Sequence, residues 1–156
     1  MTVEITTTRA IAAQILRHRS ASFQEFSQRY SSVDDLPPIG LPHLRTQDAK
    51  NRQASHDDLD AETEYILNTH IEQLYGQAQD LYHEMLRCGI AKECARSILP
   101  LGTPTKLYMS NSVRGWIHYI QIRASEETQL EHRMVAESIK GIFEQQLPSV
   151  FAAAFT

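Results

Sequence analysis

Residues 17–30 read Arg-His-Arg-Ser-Ala-Ser-Phe-Gln-Glu-Phe-Ser-Gln-Arg-Tyr. Taken as a strand over Phe23–Tyr30, this segment sends alternate side chains to opposite faces. Glu25, Ser27 and Arg29 then share one face, offering a carboxylate, a hydroxyl and a guanidinium in a row. Such a set can bind a ribose hydroxyl, a base edge and a phosphate. Arg17, His18 and Arg19 just upstream add up to three cationic donors. A basic triplet also has an ordinary explanation, because cations at a helix C-terminus gain about 0.3–1 kcal/mol each from the macrodipole. That explanation does not account for the polar strand face that follows, and the two features together favour a site.

A second locus lies downstream. Arg114 and His118 are four residues apart, one turn of the same helix face, and suit a single ligand. Arg123 is five residues further and rotated by about 140° on an ideal helix, so either the helix is distorted or its two faces serve different neighbours. Cys88 follows a helix whose C-terminal dipole disfavours thiolate, and Cys94 sits two residues from Arg96 on a different helix face. Both read as structural rather than nucleophilic. His43, His56, His70, His83 and His132 carry no companion that singles them out.

These residues need elements to hold them. Val3–Thr8 reads as a strand and Thr8 as the cap of a helix ending near Arg17–Arg19. Residues 31–58 hold Pro37, Pro38, Gly40 and Pro42 among many polar residues. They read as an irregular surface excursion, functional or mobile at that length. A long helix spans Asp58–Arg87, closed by Gly89 at the C′ position. Along it Leu67, Ile71, Leu74, Ala78, Leu81 and Met85 alternate spacings of four and three. That seam belongs either to an ordinary core or bundle helix, the reading the pattern favours, or to an intersubunit contact. A short helix over Ala91–Ile98, an extended Lys106–Ser110 and two helices, Ser112–Ala124 and Glu126–Gln146, complete the chain. Leu130, Met134, Ile139 and Phe143 face inward on the last, and Pro148 ends it. The class is helix-rich α+β, one domain over residues 1–156.

Composition narrows the chemistry. Fifteen basic and nineteen acidic residues leave a net charge of −4, and eleven of the basic residues are Arg against four Lys. An acidic chain that prefers Arg does not coat nucleic acid; it grips a few small anions with planar donor forks. No apolar run approaches a membrane span, no signal peptide opens the chain, and two cysteines six residues apart build neither a disulfide framework nor a zinc site. The expectation is a cytoplasmic protein with no metal, membrane or nucleic-acid partner. Neither a Gly-x-Gly-x-x-Gly fingerprint nor a P-loop occurs.

The combination Arg17-His18-Arg19, seven residues, then Ser27 and Arg29-Tyr30 resembles the signature of the flavin-dependent thymidylate synthases, the ThyX family. Three later blocks agree. Glu93–Pro100 is similar to the family's Glu-x-Ala-Arg-x-x-Leu-Pro segment, Arg114–Arg123 to its active-site helix, and Thr128–His132 to its Gln-x-Glu step. The resemblance covers nearly the whole chain. It implies an antiparallel sheet flanked by helices, with active sites between subunits of a homotetramer. It further implies methylation of dUMP to dTMP with methylenetetrahydrofolate and NADPH through FAD. By the same resemblance Arg17, His18, Arg19, Glu25, Ser112, Arg114 and His118 match flavin-binding positions. Gln14, Arg17, Glu25, Ser27, Arg29, Arg96 and Arg123 match dUMP contacts, with Ser27 near the pyrimidine and Arg29 near the phosphate. Arg123 matches the arginine that favours the ionised form of uracil N3. A permanently charged guanidinium suits that role, because it lowers the cost of negative charge on a pyrimidine no cysteine attacks.

Some positions depart from the family pattern. Ser112 and Gln24 replace frequent asparagines, His118 stands where Asn is common, and Glu127 where some members have His. Family members usually carry a strand-and-helix segment ahead of the triplet that helps to bind flavin and folate, whereas here Met1 lies sixteen residues before it. The alternatives to an enzyme are therefore an idle nucleotide- or flavin-binding homologue, a subunit needing a partner, and a helical scaffold without ligand.

Overall fold

The computed structural model describes residues 1–52 and 54–155. In chain order the elements are β1 (Thr2–Thr8), α1 (Arg9–Ile15), β2 (Ser22–Glu25), β3 (Thr46–Gln47), β4 (Ser55–His56), α2 (Ala61–Arg87), α3 (Lys92–Ala95), β5 (Pro104–Ser110), α4 (Val113–Arg123), α5 (Leu130–Gln146) and α6 (Pro148–Ala154), with 3-10 turns at Val33–Asp35 and Arg96–Ile98. The class is α+β with small antiparallel sheets. One sheet has the strand order β1-β5-β2, and the other is the β3-β4 hairpin with Thr46 opposite His56 and Gln47 opposite Ser55.

The chain divides into two compact units. The first comprises Met1–Ile5, Ile11–Gln24 and Leu107–Thr156. Its core gathers Val3 and Ile5 from β1, Ile11, Ala12 and Ile15 from α1, and Leu107 and Met109 from β5. Trp116, Tyr119 and Ile120 of α4 and Ala136, Ile139 and Phe143 of α5 complete it. Alternation on the strands and three-four spacing on the helices put each of these on one face. Ser112 caps α4, its Oγ accepting from Gly115 N at 3.1 Å. Gly115 is required there, since a Cβ would land on the Asn111 carboxamide.

The second unit comprises Thr6–Ala10 and Glu25–Lys106 and has a smaller core of Val33, Tyr82, Ala95 and Leu99. Asp60 caps α2 by accepting from Thr63 N at 2.9 Å. At its other end Gly89 adopts φ 79° while Ile90 N donates to Met85 O at 2.9 Å, the glycine-closed ending that the sequence predicts. The predicted core role of α2 holds only near its C-terminus, where Met85 and Leu86 pack against the small core beside Tyr82. Tyr82 is its only buried residue among those described, while Tyr65, Leu67, Leu74 and Leu81 are exposed. Residues 31–58 are less featureless than expected, because the 3-10 turn buries Val33 and a hairpin pairs Thr46–Gln47 with Ser55–His56.

Candidate functional site

Eight candidate residues lie in the first unit. The helix α1 ends at Ile15, and its last amides continue as turns, with Arg17 N donating to Gln14 O and His18 N to Ile15 O. This looser ending releases the triplet from helical register. His18 turns its ring toward α4, 5.8 Å from His118 at 40° and 5.2 Å edge-on from Tyr119. Its Nε2 lies 2.9 Å from Ser20 Oγ, which in turn accepts from Asn111 Nδ2 at 3.4 Å. Those bonds tie the triplet loop to the start of α4, where Asn111 Oδ1 accepts from Ser112 N. Burial, then the charges of His118 and Arg123, hold the His18 pKa below the ordinary imidazole value.

Arg123 therefore bears on the same histidine as His118, despite the angle between them on α4, and the two share a neighbour. Tyr119, one turn before Arg123, explains how: it is fully buried and its ring meets His18 on one side and His132 on the other. Burial pushes the Tyr119 hydroxyl up to about 12 against the opposing pull of Arg123. Burial, then Arg123 and His18, push His132 down to about 4. The Arg123 Nε is buried and has no hydrogen-bond partner among the described residues. Buried polar atoms rarely stay unmatched, and Arg123 Nε shares this state with Asn68 Oδ1 and Tyr82 Oη among the described residues. By contrast Arg17, Arg19 and Arg114 are exposed. Among the described residues no side-chain hydrogen bond or ion pair engages any of these three.

The other four candidates lie in the second unit. The expected strand over Phe23–Tyr30 is corrected: β2 stops at Glu25, and Ser27–Ser31 forms a turn, with Tyr30 N and Ser31 N both donating to Ser27 O. Gln28 is the cause. Its side chain is buried and donates to Pro104 O at 3.3 Å, which bends the chain inward. Glu25, Ser27 and Arg29 thus do not lie on one strand face. Glu25 Oε1 accepts from Thr105 Oγ1 at 3.1 Å. Arg29 donates from Nε and Nη2 to Glu93 Oε2 at 3.2 and 3.1 Å, and Lys92 Nζ donates to Tyr30 O at 2.9 Å, so α3 pins the turn. Arg96, half-buried, follows directly in the 3-10 turn that ends α3.

Two participants, His132 and Tyr119, carry no companion that singles them out in the sequence. Instead of Leu130 and Met134, it is His132 that shares the inward face of α5 with Ala136, Ile139 and Phe143, and Met134 is 60% exposed. The spacing of four, three and four from His132 was the available signal. Glu93, the partner of Arg29, was legible only as part of a motif. Two clefts of about 260 and 380 Å³ in the second unit contain none of the candidate residues. Among the described residues no group of three or more His, Cys, Asp or Glu could hold a metal ion, and no helix is long and apolar enough to cross a membrane.

Known proteins resemble this chain along nearly its full length. A family profile described as thymidylate synthase complementing protein matches residues 1–149. The probable flavin-dependent thymidylate synthase of Paramecium bursaria Chlorella virus 1 is 53% identical over 154 residues, covering 98% of this chain and 70% of that protein. The flavin-dependent thymidylate synthase of Synechocystis sp. is 54% identical over 153 residues, with the same two coverages. The crystal structure of a UMP/dUMP methylase, PolB from Streptomyces cacaoi bound with 5-Br UMP, superposes with a TM-score of 0.85 at 26% identity, covering 99% of this chain and 73% of that one. Motif spacing, fold and these likenesses agree, and the chain belongs to the thymidylate synthase complementing protein family, that of the flavin-dependent thymidylate synthases.

Proposed function

We propose that this chain catalyses the reductive methylation of dUMP to dTMP, with methylenetetrahydrofolate as the one-carbon donor and NADPH as the reductant. The observation that carries this reading is the meeting of His118 and Arg123 at His18, beside a buried Arg123 Nε that has no partner among the described residues. A flat, anionic acceptor fits it. Arg123 would hold negative charge on the pyrimidine as it develops, which raises electron density at C5 without a covalent nucleophile. A positioned donor of this kind contributes several kcal/mol in comparable sites. Cys88 and Cys94 are exposed and free, in keeping with an enzyme that uses neither and works in a reducing, cytoplasmic setting.

The residues present also fit a flavin. Arg17, Arg19 and Arg114 are free to donate to a pyrophosphate, and the neighbouring rings of His18 and His118 offer a polar, partly exposed surface for an isoalloxazine edge. Ser112 keeps its hydroxyl hydrogen, since its Oγ acts as acceptor in the helix cap. Glu25 would serve both ligands. When bound there, FAD supplies reducing equivalents and relays the one-carbon unit. On the nucleotide side, Ser27 would approach the pyrimidine while Arg29 and Arg96 hold the phosphate, with Arg29 exchanging part of its bond to Glu93 for the new anion.

The assembly is read as a homotetramer. Leu67, Leu74 and Leu81 are exposed at the seam spacing on a 27-residue helix, a stripe that a second copy would cover. The deciding experiment mixes purified protein with FAD, dUMP, methylenetetrahydrofolate and NADPH and follows dTMP. Product should appear, and NADPH oxidation should accelerate with dUMP. Tight dUMP binding without dTMP would overturn the catalytic reading in favour of an idle binder.

A further inference from the structure

A hydrogen-bond chain in the first unit fixes more than its members' positions. Gln129 Nε2 donates to Glu131 Oε2 at 2.8 Å, and a carboxylate only accepts, so the Gln129 carbonyl Oε1 must face the other way. It accepts there from Gln14 Nε2 at 2.6 Å. The Gln14 carbonyl therefore faces His132, 3.3 Å from Nδ1, and that nitrogen must carry the imidazole proton. The remaining lone pair, on Nε2, accepts the Tyr119 hydroxyl hydrogen at 3.1 Å. Each link leaves the next one orientation, from the Glu131 carboxylate to a histidine with no exposed surface.

We propose that His132 is a positioning residue of the pyrimidine site: a neutral imidazole, protonated on Nδ1, that occupies the Gln14 carbonyl and so presents Gln14 to the ligand as an N–H donor. This rests on the reading that Gln14 and Arg123 contact a uridylate. With its carbonyl taken by His132 and one Nε2 hydrogen taken by Gln129, half-buried Gln14 keeps its second amide hydrogen for a pyrimidine carbonyl oxygen. The same arrangement serves Arg123. Its titratable neighbours Tyr119, His132 and His18 are all uncharged near pH 7, for burial raises the phenol and lowers both imidazoles. None of the three competes with a ligand as a counter-ion.

The test joins one spectrum to two variants. Long-range proton–nitrogen correlation of wild-type protein should show His132 protonated on Nδ1 and bare on Nε2. His132→Leu, similar in size and apolar, should keep its bound flavin and cooperative melting yet raise the KM for dUMP about tenfold, the equivalent of one lost hydrogen bond, with kcat changed less. His132→Asn, whose amide can donate from the Nδ1 position, should restore most of that loss. Protonation on Nε2 in the wild type overturns the inference whether or not the variants fold. So does a folded Leu variant with an unchanged KM, or an Asn variant no better than Leu. Wild-type protein that makes no dTMP and binds no dUMP instead overturns the functional reading, whatever the tautomer.

Discussion

The two groups of candidate residues are built on opposite physical plans. In the first unit, although Arg17, Arg19 and Arg114 stand exposed, the cluster around Arg123 is interior: Tyr119 and His132 have no exposed surface, the Arg123 Nε is enclosed, and protonation states are displaced by burial. In the second unit the prominent pair is superficial, with the Arg29 and Glu93 side chains 53% and 52% exposed on a turn. Interior networks hold fixed geometry at low effective dielectric, where each charge counts heavily; exposed pairs are screened and worth about 0–1 kcal/mol. The first plan suits stabilising a charge that develops during reaction, the second capturing a phosphate that arrives fully charged.

The sharpest way to break this contrast is Arg123→Ala. Turnover should fall by about 10²–10³, the usual loss for a charge-stabilising donor, while flavin stays bound. A flavin-loaded variant with normal turnover would leave the interior cluster without its assigned part. Acid should report on the same interior. Because His132 titrates near 4 when folded and near 6.5 when unfolded, the unfolded chain takes up the proton first as pH falls. Stability is then complete above about pH 6.5 and drops by about 2–4 kcal/mol toward pH 4, with His18 adding in the same direction. Urea midpoints across that range would display the slope, and His132→Leu should flatten it.

Next in size is Gly115→Ala, whose new methyl meets the Asn111 carboxamide. A loss of about 1–3 kcal/mol is expected by thermal melting, because Asn111 is itself held by Ser112 N and Ser20 Oγ and cannot withdraw freely. The smallest effect belongs to the superficial plan. Arg29→Ala should raise the KM for dUMP by about three- to tenfold with kcat intact, and added salt should shrink the wild-type advantage. Salt-insensitive kinetics would show that this pair is not the screened type its exposure suggests.

How far the sequence disclosed all this differs between the same two regions. Strands β1 and β5, helices α2 and α4 and the Gly89 terminus follow from periodicity, caps and turn chemistry, which act over a few residues. The bend after Glu25 does not, because it depends on Gln28 reaching Pro104, 76 positions away. The inward register of α5 was misread for a related reason. Met134 stands five residues before Ile139 and off the four-three step that His132 and Ala136 keep with it, and the partners Tyr119 and Gln14 make that polar choice the stable one. Position 123 was legible as a candidate, but its joining of His118 at His18 required the ring of Tyr119 between them. The α2 stripe was visible as a seam, yet a monomer's sequence pattern reads the same for a core and for a contact.

That stripe carries a practical consequence. If a second copy covers it as proposed, the surface of Leu67, Leu74 and Leu81 on one long helix would be blocked by a short helical decoy copying residues 61–87, without any mimicry of nucleotide, flavin or folate. If active centres are completed only where copies meet, such a decoy would silence the protein from a face that holds none of its reactive groups.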